Sequence, residues 1–267
     1  MVRATEGTII TGMLLWMVKI AALGYLGMGL MLYLTQRSIM YYRVAENPAE
    51  DVVAEYHEAD GVRLKVWVVS PGKDKALLYF GGNAEDVYGN AEEFARALPD
   101  HTVYLINYRG YGGSDGTPSE QGLFSDALAI FDRLQTRHPR IAVLGRSLGS
   151  GVAVYLASRR DVSHLVLATP HDSVLAVARR AYPIFPVDLL LKDRYESIRY
   201  APDVEAKTLL LAAENDRIIP VEHATRLAEA FEPGLAELEV VPGSGHNTIS
   251  AFRRYWQAVS TFVGTPD

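Results

Sequence analysis

Gly145-Arg146-Ser147-Leu148-Gly149-Ser150-Gly151 stands where a short apolar run gives way to a helical pattern, and its reading decides the fold. Ile141-Ala142-Val143-Leu144 before it suits a central parallel strand, and Val152 to Arg160 after it carries helix-spaced apolar residues. In a strand-to-helix turn, G-x-S-x-G has a mechanical meaning. The chain turns too tightly for side chains at Gly145 and Gly149, and the serine is held with its oxygen exposed, as in a nucleophile elbow. Glycine-rich turns also bind phosphates, but no Walker lysine follows here and G-x-G-x-x-G is not matched.

The same alternation extends to both sides of the elbow. Val52 to Glu58 and Val62 to Val69 read as an antiparallel hairpin around Asp60-Gly61. Ala76 to Phe80, Val103 to Asn107, Ile141 to Leu144, Leu165 to Ala168, Leu209 to Ala212 and Leu238 to Val241 are short apolar runs suited to strands covered on both faces. Helical patterns fall between them at Ala91 to Leu98, Ser119 to Thr136, Leu148 to Arg160, Val221 to Phe231 and Ile249 to Phe262. Strands and helices in this rhythm, joined by right-handed crossovers, predict a mostly parallel α/β sheet with helices on both faces.

Residues 1–46 form a separate expected segment, because Ile9 to Leu34 is apolar with Lys19 as its one charge. At ~1.5 Å per residue the run exceeds a hydrocarbon core of about 30 Å, so it predicts a single-pass transmembrane helix and a membrane location. Lys19 can snorkel toward the N-terminal interface, while Tyr33, Tyr41 and Tyr42 with Arg37 and Arg43 suit the other. A cleaved signal peptide is the main alternative, but Thr35-Gln36-Arg37 follows Leu34 where small residues would be needed. The flanking cations balance and set no orientation.

The remaining residues, 47–267, suffice for one domain with a sizeable core. Of the 267 residues, 26 are Lys or Arg and 32 are Asp or Glu, and the net charge of −6 argues against a nucleic-acid partner. The absence of cysteine removes thiolate catalysis, disulfides and thiolate-held zinc. No His-Glu-x-x-His or other metal-ligand spacing occurs, and neither a metal nor a cofactor is expected.

A serine hydroxyl is a weak nucleophile that needs a base and a group to orient that base. Ala213-Glu214-Asn215-Asp216-Arg217-Ile218-Ile219-Pro220 follows the penultimate predicted strand, and Pro242-Gly243-Ser244-Gly245-His246-Asn247 follows the last. Both loops fall at the C-terminal edge of a parallel sheet, where open α/β folds place their sites. The candidate triad is Ser147 as nucleophile, His246 as base and Asp216 as orienting acid, with Glu214 as the rival for the acid.

Acyl transfer also needs donors for the developing oxyanion. The amides of Leu148, opening the elbow helix, and Asn83, in Phe80-Gly81-Gly82-Asn83-Ala84, are assigned this role, with Gly82 beside the substrate. Asn83 is equally placed to cap a helix whose first turn holds Glu85 and Asp86. His171-Asp172 follows the strand after the elbow helix, so His171 is a candidate for lining the substrate pocket, with Asp172 as an alternative helix cap. His223 is expected on the first turn of a surface helix, and His57, His101 and His164 flank strands. Residues 170–203 contain Tyr182-Pro183-Ile184-Phe185-Pro186 and Leu189-Leu190-Leu191, read either as a cap over the pocket or as an ordinary helix pair.

These residues together resemble the serine hydrolases of the α/β-hydrolase superfamily. More narrowly, the chain is similar to the N-terminally membrane-anchored group that includes bud-emergence-type proteins and protein depalmitoylases. The resemblance runs from Arg37-Ser38-Ile39-Met40-Tyr41-Tyr42 to the C-terminus. It rests on Phe80 to Ala84, Asn107-Tyr108-Arg109-Gly110-Tyr111-Gly112-Gly113-Ser114-Asp115-Gly116, Pro118-Ser119-Glu120, the elbow, Leu190-Leu191-Lys192-Asp193-Arg194-Tyr195-Glu196-Ser197 and the two late loops. It implies an α/β-hydrolase fold with a short cap, and cleavage of a carboxylic ester or thioester through an acyl-enzyme. The apolar character of residues 170–203 and the adjacent anchor suggest a lipophilic substrate, with the N-terminal helix in contact with membrane lipid. A peptidase or amidase on the same triad and a non-catalytic scaffold are the alternatives. Two departures stand out: Gly81 replaces the histidine of the family's His-Gly-Asn turn, and Ala212-Ala213 replaces its frequent His-Gly.

Overall fold

The computed structural model describes residues 2–49 and 51–265; Met1 and Asp267, the outer bounds of the two expected segments, lie outside them. Eight strands form one sheet among the described residues: β1 Val53–Ala59, β2 Val62–Val69, β3 Lys75–Phe80, β4 His101–Ile106, β5 Arg140–Arg146, β6 His164–Ala168, β7 Lys207–Ala213 and β8 Ala236–Val241. Their order is β1-β2-β4-β3-β5-β6-β7-β8. The β1–β2 and β2–β4 pairs are antiparallel and the others parallel, which is the mostly parallel sheet that the alternation predicts. The first hairpin turns at Asp60 and Gly61, both with positive φ, as a tight two-residue connection requires.

The sheet is covered on both faces because successive side chains of its central strands point to opposite sides. Ala76, Leu78 and Phe80 of β3 join the core beneath α3 (Glu120–Leu134) and α4 (Leu148–Ala157), together with Leu227 of α8 (Val221–Ala228). Leu77 and Tyr79 point the other way, into the core shared with α2 (Ala91–Ala97) and α9 (Arg253–Gly264). At the far edge, β8 departs from the expectation of a doubly covered strand: only Val241 in it is fully buried, and Glu237 and Glu239 alternate with the half-buried apolar positions. An edge strand has one neighbour, and charged side chains there discourage pairing with another chain. His57, His101 and His164, expected to flank strands, lie within β1, β4 and β6 and are buried.

The N-terminal helix α1 runs Val2–Met40, longer at both ends than the apolar run alone indicates. Its Thr11–Met40 portion is long and apolar enough to cross a membrane, and it exposes a continuous set of large apolar side chains. The helix outlasts Leu34 because its last turns dock on the domain. Gln36 Nε2 donates to the Leu190 carbonyl at 3.0 Å, Arg37 forks onto the Asp193 carboxylate at 2.7 and 3.0 Å, and the Tyr41 hydroxyl meets that of Tyr195 at 2.9 Å. The partners of α1 belong to the segment between β6 and β7, which contains α5 (Val174–Ala181), α6 (Val187–Leu190) and α7 (Ser197–Tyr200).

Candidate active site

The elbow is built by close approach. A Cβ on Gly145 would collide with the carbonyl oxygen of Gly149, and one on Gly149 would collide with that of Phe80, so both glycines are demanded by packing between β5, β3 and α4. Ser147 sits between them at φ 50° and ψ −113°, a conformation that costs on the order of 1–3 kcal/mol and holds its side chain off the helix. Its backbone is pinned on both sides: Ser147 N–H donates to the Ala168 carbonyl at 2.9 Å, and the Ser147 carbonyl accepts from Ser150 N–H at 3.0 Å and Ser150 Oγ at 2.6 Å.

The loops after β7 and β8 meet at this serine. Ser147 Oγ lies 2.9 Å from His246 Nε2, and His246 Nδ1 lies 2.7 Å from Asp216 Oδ2. Asp216 is itself anchored, since its other oxygen accepts from the amides of Ile218 at 2.9 Å and Ile219 at 2.8 Å. Glu214 is occupied elsewhere, accepting from Gly243 N–H at 2.7 Å. Of the two acids after β7, Asp216 is the one in contact with His246. The contact with Asp216 orients the imidazole so that Nδ1 faces the carboxylate and Nε2 faces Ser147 Oγ.

Leu148 is the first residue of α4, so its N–H cannot be satisfied within the helix and lies beside Ser147. Gly82 also approaches Ser147: a Cβ there would stand 3.5 Å from that of the serine. The side chain of Asn83 does not cap a helix, contrary to the alternative expectation. Its Oδ1 accepts from Tyr42 N–H at 2.7 Å and from the Tyr111 hydroxyl at 3.0 Å, while Asp86 caps the short 3-10 turn Val87–Asn90.

His171, expected along the pocket, is 1% exposed and lies inside the domain against Gly151 and Tyr195. Neither of its ring nitrogens has a hydrogen-bond partner among the described residues. Burial pushes its pKa from 6.5 down to about 4, with Asp172 opposing and His223 and His246 adding. Asp172 is not a helix cap; Ser173 caps α5 by accepting from Ala176 N–H. Asp172 instead bridges to α8, with His223 Nδ1 and Arg226 Nε each 2.7 Å from one of its oxygens. Burial raises the Asp172 pKa, but these two donors outweigh it and bring the value down to about 2. His223 is accordingly buried rather than on an exposed helix face.

Sequence reasoning missed Glu85. One carboxylate oxygen accepts from Gly82 N–H at 2.5 Å and pairs with Arg146 Nη1 at 2.9 Å; the other accepts from the Tyr79 hydroxyl at 2.6 Å and Asn90 Nδ2 at 2.8 Å. This hub also accounts for Gly81. A Cβ at that position would stand 2.7 Å from Val87 Cγ1 and within 3.3 Å of the Glu85 carboxylate, so a histidine there would displace the hub. No group of residues able to hold a metal ion is present among the described residues.

Comparison with known proteins agrees with this architecture. Residues 75–195 match the family model described as alpha/beta hydrolase fold. The chain is 40% identical over 249 residues to an uncharacterized protein of Mycobacterium tuberculosis, covering 86% of this chain and 87% of the relative. It is 30% identical over 244 residues to alpha/beta hydrolase domain-containing protein 17C of Xenopus laevis, covering 87% and 75%. The Pyrococcus furiosus esterase Pf2001 superposes with a TM-score of 0.67 at 20% identity, over 83% of this chain and 96% of the esterase. An enol-lactonase from Burkholderia xenovorans superposes at 0.62 with 16% identity, over 79% and 100%. At these identities the two structures support the fold alone.

Proposed function

Because this chain belongs to the α/β-hydrolase family, we propose that it is a membrane-anchored serine hydrolase that cleaves carboxylic esters or thioesters through an acyl-enzyme on Ser147. The observation that carries this reading is the unbroken relay from Ser147 Oγ to His246 Nε2 at 2.9 Å and from His246 Nδ1 to Asp216 at 2.7 Å. Ser147 donates its proton to His246 as its oxygen attacks the acyl carbon, and Asp216 stabilises the imidazolium that forms. His246 then returns the proton to the leaving alcohol or thiol, and water repeats the sequence on the acyl-enzyme. The amides of Leu148 and Asn83 are assigned to the oxyanion, with Gly82 giving the substrate room beside Ser147.

The apolar part of α1 acts as the anchor, the chain beyond it as the hydrolase domain, and 170–203 as its cap. The resemblance to anchored depalmitoylase-type hydrolases, the apolar α1 and the apolar cap support a lipophilic substrate.

A fluorophosphonate probe tests the reading directly. Labelling at Ser147 that is lost in Ser147→Ala is expected, and folded wild-type protein that never labels would overturn it. Hydrolysis of p-nitrophenyl acyl esters but not of aminoacyl amides is expected of an esterase; the reverse preference would make the protein an amidase.

A further inference from the structure

The segment between β6 and β7 leaves an apolar tip uncovered. Ile184 is 71% exposed and Leu189 82%, and Tyr182 beside them is 39% exposed. From Tyr182 to Leu191 the one charged residue is Asp188, and Arg179 pairs with it. The tip lies against α1: the Tyr25 ring stacks on Phe185 with centroids 5.0 Å apart, and the Tyr25 hydroxyl donates to the Ile184 carbonyl at 2.8 Å.

Tyr25 belongs to residues 20–36, which carry no charge between Lys19 and Arg37. That run is roughly 25 Å of helix, most of the hydrocarbon thickness. Two groups in contact lie at the same depth, so whatever depth Tyr25 takes, Ile184 and Phe185 take as well. From Arg37 back to Tyr25 is roughly 18 Å along the axis, and tilts of about 20–40° put Tyr25 roughly 14–17 Å deep, near the bilayer midplane. Water around residues 20–36 would expose the large side chains of Leu23, Leu26, Leu30 and Leu34 at about 25 cal/mol per Å² of apolar area.

We infer that the cap tip, Tyr182 to Leu189, enters the bilayer beside α1 as a second membrane-contacting element. The inference rests on the reading of α1 as an anchor. Charge agrees with it: Arg179, Arg180, Lys192 and Arg194 border the tip, where headgroups would stand, and Lys192 Nζ lies 4.1 Å from the centre of the Tyr33 ring. A cavity of about 250 Å³ between α1 and the cap agrees as well, because its walls are almost wholly apolar, among them Leu32, Ile39, Met40, Val177, Phe185 and Leu190. Water finds too few polar partners in such a space, and a lipid hydrocarbon chain suits it.

The cysteine-free chain allows a direct test in the full-length protein. Single-cysteine variants Ile184→Cys and Leu189→Cys in the cap, Leu26→Cys on α1 and Glu92→Cys on α2 are nitroxide-labelled and reconstituted in phosphatidylcholine vesicles. Collision with oxygen is compared with collision with a water-soluble nickel chelate. Both cap labels are expected to favour oxygen several-fold over the Glu92 label, as the Leu26 label does. Water-like cap labels beside an oxygen-favouring Leu26 label would overturn the inference and leave the anchor standing. A water-like Leu26 label would overturn both.

Discussion

Glu85 Oε2 stands 2.9 Å from Arg146 Nη1, and this ion pair ties the turn that follows β3 to the residue preceding Ser147. Both side chains are mostly buried, and Arg146 also reaches the His246 carbonyl at 3.4 Å. Three segments, the Gly81-Gly82-Asn83 turn, the elbow and the loop carrying His246, therefore share one electrostatic clamp. Its ring of donors around a single carboxylate is the kind of complete satisfaction a buried charge needs.

Glu85→Gln keeps the shape but leaves Arg146 without its counter-charge. Breaking a buried pair from one side costs about 3 kcal/mol, seen as a lower urea midpoint. If the clamp positions the oxyanion turn, kcat falls roughly tenfold or more while KM changes little. A stability loss with unchanged kcat would make Glu85 a purely structural acid.

The two acids after β7 are separable by mutation. Asp216→Asn favours the wrong imidazole tautomer and should lower kcat by roughly 10³–10⁴. Glu214→Gln removes only the charge behind the contact to Gly243 N–H, and its kcat/KM is expected to stay within about threefold of wild type. Equal losses in the two variants, measured with one ester substrate, would contradict the assignment of Asp216 as the acid.

Buried His171 makes stability depend on pH. Its folded pKa of about 4 lies below its unfolded value of 6.5, so between these values the unfolded chain holds a proton that the folded chain does not. Stability is therefore complete above pH 6.5, falls as the pH drops through this window, and levels below about 4. Two and a half units correspond to roughly 3 kcal/mol. Burial lowers the pKa of His57 and His101 as well, adding to the same slope. Asp172 acts lower: its stabilisation is present above its unfolded value and is lost only as the pH falls toward 2. In urea titrations from pH 7.5 to 4.5, His171→Gln is expected to flatten the slope; an unchanged slope would show that His171 does not carry it.

What the residues disclosed and what they hid follow from how local each signal is. Gly145 and Gly149 were legible because the turn's steric demand is written within five consecutive residues. The meeting of Asp216 and His246 at Ser147 was legible because each follows a strand, and parallel strands deliver their C-terminal loops to one edge. Glu85 was not, since its partners Tyr79, Gly82 and Arg146 come from three elements and a single acid after a glycine turn reads equally well as a helix-end charge. Asp172 misled for the same reason: its bond to His223 spans 51 residues, whereas a cap is a neighbour's relationship. The end of β8 misled because an apolar run does not reveal that its strand lies at the sheet's edge.

The boundary between anchor and hydrolase domain, placed at residue 46 from composition, cuts through packed structure. Tyr41 is 3% exposed and belongs to the core beneath α3 and α4, Gly112 N–H donates to the Val44 carbonyl at 3.1 Å, and Lys65 Nζ meets Glu46 at 2.9 Å. Tyr42 N–H moreover holds the side chain of Asn83, so residues 41–46 brace the turn that follows β3. A chain beginning at Asn47 loses all of these, and removing the Tyr41 ring alone costs on the order of 3–5 kcal/mol. A chain beginning at Thr35 keeps them while discarding most of the exposed apolar helix. Thermal melts and fluorophosphonate labelling should therefore find the Thr35 form cooperative and reactive, and the Asn47 form lower-melting by at least about 5 °C and slower to label. Equal melting and labelling of the two forms would return the boundary to residue 46 and remove the juxtamembrane segment from the support of the active site.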